Sequence, residues 1–172
     1  MLYFSVMGSV MDFIEAIRQN HALEHGTMTI LMKKLGKEVR MMGRSSPTGF
    51  YIYGDIPTDI VKEAAEEALR RLKAGEEELA ISPFCGTNAV VTGILATFAS
   101  LIALSGKNKL LKIPRAILAA ILVGIFSHPI GRLVQKYLTT TNDLSDVKIE
   151  RVEKRGEGDF IYHKIETKRH WV

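Results

Sequence analysis

The sequence predicts an α+β protein in which a small mixed β-sheet with amphipathic helices is joined to a two-helix transmembrane hairpin. Three observations predict it. Apolar residues recur at helical spacing over Met11 to Leu35 and after Pro57. Short alternating runs surround Gly43-Arg44-Ser45-Ser46-Pro47-Thr48 and Gly156-Glu157-Gly158, both of which are turn chemistry. Two stretches, 89–105 and 116–131, contain no Lys, Arg, Asp or Glu and approach the roughly 17 to 25 residues that a membrane-spanning helix needs. The 172 residues then divide into a soluble α/β part over 1–88, a transmembrane helical hairpin over 89–136, and a C-terminal β-hairpin over 137–172 that completes the soluble part.

In chain order, Phe13, Ile14, Ile17, Leu23, Met28, Ile30, Leu31 and Leu35 mark the first helix, which Gly36 ends. The runs Glu38 to Met42 and Gly49 to Tyr53 form a hairpin. Pro57-Thr58-Asp59 opens a second helix with an apolar stripe of Ile60, Val61, Ala64, Ala65, Ala68, Leu69 and Leu72, stopped by Gly75. Leu79 to Ser82 reads as a short strand. Between the two apolar stretches lies a basic loop with Lys107, Lys109, Lys112 and Arg115, and the second span opens at Pro114. Gly93, Ala96 and Ala99 on one span, with Ala120 and Gly124 on the other, are small enough to let the two helices approach closely. Asp146 to Arg155 and Asp159 to Lys168 form the final hairpin.

Composition narrows the function. The formal charge of +4 is spread among acids except in the basic loop, which excludes a nucleic-acid footprint. A single cysteine, Cys85, excludes an internal disulfide framework. The start has no secretory signal pattern, although Met1 to Val10 are apolar enough to touch a membrane surface. The expected location is the cell membrane, with the soluble part on the cytoplasmic side. The expected partners are the lipid bilayer, a peptide or membrane-protein substrate, and further copies of the chain through its small-residue faces.

Chemistry concentrates in His21-Ala22-Leu23-Glu24-His25. Residues four apart on a helix stack on one face, so His21 and His25 present imidazoles to one point and Glu24 stands at the edge of that face. Two His and a Glu in the order H-x-x-E-H suit zinc and a base for the metal-activated water. A third ligand must come from elsewhere. A hairpin that crosses a bilayer and returns brings Cys85 and His128 to similar depth, and His128, followed by Pro129, is an unusual residue to leave near lipid. A site of His21, His25 and His128 with Cys85 nearby is therefore expected. One of Glu76, Glu77 and Glu78 is another third-ligand candidate. Asn88 is a candidate hydrogen-bond donor to a developing oxyanion, beside its reading as a helix cap. The bland readings are a small buried hydrophobe for Cys85, a backbone hydrogen bond for His128, and solvent exposure for His163 and His170.

The chain resembles a poorly characterised family of small prokaryotic membrane proteins marked by His21-Ala22-Leu23-Glu24-His25 and Cys85-Gly86-Thr87-Asn88. Gly49-Phe50, Arg71-Leu72, Gly75-Glu76 and Leu79-Ala80 also fit, and the resemblance runs from Asn20 to the first span. It implies a membrane hairpin and a joint role for the two motifs, without an assigned activity. The five-residue motif is also similar to that of H-x-x-E-H zinc peptidases, which implies His21 and His25 as ligands and Glu24 as base. The fold of those peptidases, several hundred residues of repeated units, does not fit this chain, so the match would be convergence of a site. The function expected is a membrane-anchored zinc-dependent hydrolase, most naturally a metallopeptidase acting at the membrane face. The alternatives are a non-catalytic metal- or haem-binding membrane protein, or an anchored interaction module in which Glu24 pairs with an arginine such as Arg18.

Overall fold

The computed structural model describes residues 2–36, 40–157 and 160–169, with residues 2–9 as backbone only. Glu38 and Val39 of the expected extended run, the hairpin residues Gly158 and Asp159, and His170 lie outside the described residues. The rest of that run is corrected: the strand is Met42–Ser46, so Gly43 to Ser46 are paired strand residues and only Pro47-Thr48 make the turn. The chain forms two compact units, Met1–Ser82 with Leu138–Val172, and Pro83–Tyr137.

The first unit is built on helix α1, Leu2–Leu35, which is longer than its apolar periodicity indicates. Lys33 and Lys34 sit in the last turn, where cations suit the helix dipole, and Gly36 leaves the helix at φ +85°. Helix α2, Thr58–Lys73, follows Pro57, carries Asp59 in its first turn and Arg70, Arg71 and Lys73 in its last, and buries Val61, Ala64, Ala65, Ala68 and Leu72. Its alanines allow close packing: a methyl on Gly26 of α1 would lie 3.1 Å from Ala68 Cβ.

Strands β1 (Met42–Ser46), β2 (Gly49–Tyr53), β3 (Val147–Arg155) and β4 (Tyr162–Arg169) form one sheet. Its order is β1-β2-β4-β3. The expectation of a mixed sheet is corrected: all three pairings are antiparallel. Short turns link β1 to β2 and β3 to β4, and such connections permit only antiparallel neighbours. The two hairpins then join through β2 and β4, with Phe50 opposite Ile165 and Ile52 opposite His163. That face packs under the helices. The other face shows Tyr51, Tyr53 and Tyr162, with ring centroids 5.5 to 6.5 Å apart.

Leu23, Ile30 and Leu31 of α1, the apolar stripe of α2, Phe50, Ile52, Val147 and Ile165 of the sheet, and Ile56, Leu79, Ala80 and Leu144 between elements make one core. Leu79 does not begin a strand. Residues Glu77–Ala80 form a 3-10 turn, because Leu79 and Ala80 are both buried and the alternation of a strand would send one of them to solvent. His163 is corrected as well: it is fully buried, since it shares a face with Ile165 in β4.

In the second unit, α3 spans Gly86–Ala103, α4 Ile113–Phe126 and α5 His128–Val134, and a π-helical stretch, Gln135–Thr139, follows. Helix α3 is long and apolar enough to cross a membrane, with mean hydropathy 1.5 and 6% of it buried. The second apolar stretch is not one straight span: Lys109–Phe126 and His128–Thr139 meet at a 57° bend. Pro129 has no N–H to offer the carbonyl four residues back, and its ring crowds that turn. Polar groups hold this unit together. Thr92 Oγ1 lies 2.6 Å from Ser127 Oγ, and Gln135 Nε2 donates to Asn88 Oδ1 at 2.8 Å. The small-residue expectation is corrected for two positions, since a methyl on Gly93 or Gly124 would meet nothing within 4 Å. The close approach is at Gly131, where a methyl would overlap Asn88 Oδ1.

Candidate metal centre

Helix α1 is unusual in burying a polar stripe. Gln19, Asn20, Glu24, His25 and Thr27 all lie inside the first unit, and buried polar groups require partners. Asn20 Nδ2 donates to the Ser46 carbonyl at 2.7 Å, and its Oδ1 accepts from Thr167 Oγ1 at 2.8 Å. Gln19 Nε2 donates to the Asp143 carbonyl at 3.0 Å and to Asp146 Oδ1 at 2.9 Å. These bonds fix the rotation of α1 and thereby the face on which His21, Glu24 and His25 stand.

The helical spacing brings the two imidazoles together, with ring centroids 4.3 Å apart and planes inclined by 60°. Each ring is held by a backbone carbonyl at a helical end, where carbonyls lack intrahelical donors. His25 Nδ1 lies 2.7 Å from the Ala80 carbonyl at the end of the 3-10 turn. His21 Nδ1 lies 2.9 Å from the Thr139 carbonyl at the end of the π-helical stretch. A carbonyl only accepts, so both Nδ1 atoms carry the proton and a neutral ring keeps its lone pair on Nε2. This is the arrangement in which metal-ligating histidines are oriented by an outer partner. One ring nitrogen of each lies within 4.8 Å of one of the other's.

Glu24 is 7% exposed. Its Oε2 accepts from Ser45 Oγ at 2.7 Å, and its Oε1 occupies the space a methyl on Gly43 would need. Burial pushes the Glu24 carboxyl above its ordinary value, against the lowering effects of the Ser45 hydrogen bond and of neighbouring His21. Glu24 does not pair with Arg18, whose guanidinium binds Glu15 and the Thr140 carbonyl, each at 2.8 Å.

Of the other sequence candidates, Glu76 is taken up by Arg71, with Nε to Oε2 at 2.9 Å, and that partner lowers its carboxyl's affinity for protons. Glu77 and Glu78 are exposed on the 3-10 turn. Cys85, Asn88 and His128 belong to the second unit. Cys85 is the N-cap of α3, its Sγ accepting from the Thr87 amide at 3.4 Å. Asn88 Nδ2 donates to the Pro83 carbonyl at 3.0 Å, and its Oδ1 accepts from Gln135 as above. His128 is exposed at the start of α5.

Sequence reasoning missed Ser45, Gly43, and the carbonyls of Ala80 and Thr139. Gly43 and Ser45 read as turn residues in the sequence, and only their pairing in β1 turns them toward Glu24. The carbonyls left no signal, because every residue has one.

The fold and site together define a protein with an α/β unit organised on a buried histidine-bearing helix and a separate unit of exposed apolar helices. The chain belongs to the family described as a domain of unknown function, DUF6391, which matches residues 16–152. It is similar to an uncharacterised protein of Picosynechococcus sp., 32% identical over 148 residues that make up 80% of this chain and 72% of that protein. No solved structure matches the chain. The expected kinship with a poorly characterised family is therefore met, at the level of the family and not of its motifs.

Proposed function

We propose that the chain is a membrane-anchored zinc-dependent hydrolase, acting on peptide bonds at the membrane face. One observation carries the reading: both imidazoles of the H-x-x-E-H helix, 4.3 Å apart, have Nδ1 tied to a carbonyl, so both offer Nε2 as ligand. His21 and His25 would hold the ion, which would supply a Lewis acid for a scissile carbonyl. Glu24 would accept a proton from the attacking water, and a carboxyl pushed upward by burial suits a base working near neutral pH. Cys85 is the preferred third ligand and His128 the alternative. Cys85 follows Ala80 by five residues, so the chain keeps it within about 18 Å of the carbonyl that His25 holds. The amide of Asn88 is the proposed oxyanion donor.

Exposure of Ile94, Phe98, Leu101 and Ile102 on α3 and of Ile117, Leu118, Ile121 and Ile125 on α4, each above half, supports lipid as their solvent and a membrane hairpin as the anchor. The α/β unit is proposed to lie on the cytoplasmic side. A second reading, a non-catalytic metal-binding or anchored interaction module, is favoured by the internal partners of all three motif side chains.

The test is elemental analysis of detergent-purified protein beside His21→Ala, His25→Ala, Cys85→Ser and His128→Ala. Near-stoichiometric zinc, lost in both α1 variants and in one of the other two, supports the site and names its third ligand. Glu24→Gln should then retain metal and lose peptide hydrolysis; metal retained with no hydrolysis by the wild type leaves the non-catalytic reading. Wild-type protein that neither carries nor accepts a transition metal overturns the metal site.

A further inference from the structure

Helix α1 exposes Val10, Met11, Phe13 and Ile14 at 51, 63, 53 and 44%. Between residues 2 and 14, Asp12 is the only charged residue. A helix lying against a protein surface in water keeps a polar face, and within residues 10–14 only Asp12 is polar. The character changes at residue 15. Glu15 and Arg18 form an ion pair at 2.8 Å, Ala16 is 5% exposed, and Gln19 and Asn20 are fastened to the rest of the unit. The helix runs unbroken through this change.

We propose that the exposed stretch of α1 at residues 10–14 is a lipid-contacting arm, and that the unbroken helix uses this arm to set the distance between the bilayer's apolar region and the histidine pair. The inference rests on the membrane reading above. A chain that also carries α3, an 18-residue apolar helix only 6% buried, already has lipid as the medium that covers exposed apolar helix, which favours lipid over a second copy as the arm's cover. The arm precedes the family match, which begins at residue 16.

The geometry sets the reach. Along an unbroken helix, at 1.5 Å per residue, the exposed stretch and the histidines keep a fixed separation. Along the same axis His21 lies about 10 Å and His25 about 16 Å beyond Ile14. A peptide reaching these rings would be met beside the headgroups, which narrows the proposed substrates to segments at a membrane surface.

The test uses the full chain in vesicles, with Trp171→Phe as background and one tryptophan placed at a time: Phe13→Trp on the arm, Ile94→Trp on α3, and Tyr51→Trp on the outer sheet face. Fluorescence is compared between ordinary lipids and lipids brominated along the acyl chain. The expected result is that Phe13→Trp loses fluorescence as Ile94→Trp does, while Tyr51→Trp keeps it. If Ile94→Trp is quenched and Phe13→Trp is not, the arm is overturned and the membrane reading stands. If neither is quenched, both fall. An unquenched Phe13→Trp together with disulfide-linked dimers of Phe13→Cys identifies a second copy as the cover and overturns the proposal.

Discussion

The carboxylate of Glu24 fills the space that a side chain on Gly43 would take, and Ser45, two residues along the same strand, donates to it at 2.7 Å. Strand β1 thus serves as the socket of the candidate base. Gly43→Ala is expected to cost about 1 to 3 kcal/mol, the usual scale of overpacking. The cost should fall sharply when Glu24 is also replaced by Ala, because the clash is with that side chain. Denaturant unfolding of the two single variants and the double variant measures the coupling, expected within about 0.5 to 3 kcal/mol. Additive effects would show that Gly43 is required for some other reason.

His25 has two separable properties, a donor at Nδ1 and a lone pair at Nε2. Asparagine reproduces the position of the first and lacks the second. His25→Asn should therefore keep its bond to the Ala80 carbonyl and unfold close to the wild type, but carry no metal. His25→Ala should lose metal and also about 1 to 3 kcal/mol, since it strands a buried carbonyl. Metal content measured beside unfolding midpoints checks both. Metal retained by His25→Asn would remove His25 from the ligand set.

Buried His163 gives the α/β unit a pH dependence. Its Nε2 meets Thr58 Oγ1 at 3.2 Å, and its Nδ1 is buried without a hydrogen-bond partner. Burial, aided by Lys154 and opposed by Asp55, holds the imidazole's affinity for protons below the ordinary value of 6.5. The folded state then binds fewer protons than the unfolded chain. The contribution to stability is complete above the unfolded value and is lost as pH falls below it. Unfolding midpoints should drop between about pH 7 and pH 5, and His163→Gln should flatten that drop. An unchanged slope in the variant would assign the dependence to other groups.

Parts of this structure can be read from the sequence because they depend on local chemistry. Helix α2 has an apolar stripe, a proline before its first turn and a glycine after its last; the C-terminal hairpin has alternating strands and turn residues, whereas in the first hairpin the run of Gly43 to Ser46 has turn composition and is held as strand by its pairing with β2. The histidine pair is legible for the same reason, as residues four apart on a helix must stack. What is not legible depends on distant contacts. The 3-10 turn at Glu77–Ala80 forms because two consecutive side chains find the same core. His163 is carried inside by its register against Ile52, and no property of its neighbours in sequence announces that. The 57° bend is signalled by Pro129, yet hydropathy averages over it.

Ala80 precedes the helical unit, which begins at Pro83, and Thr139 follows its end at Tyr137. The histidine pair therefore ties off both stems of an inserted segment. A knot of this kind pins the insert's two ends to one helix, so a change of rotamer at either histidine would release a stem of the insert as well as move a candidate ligand atom.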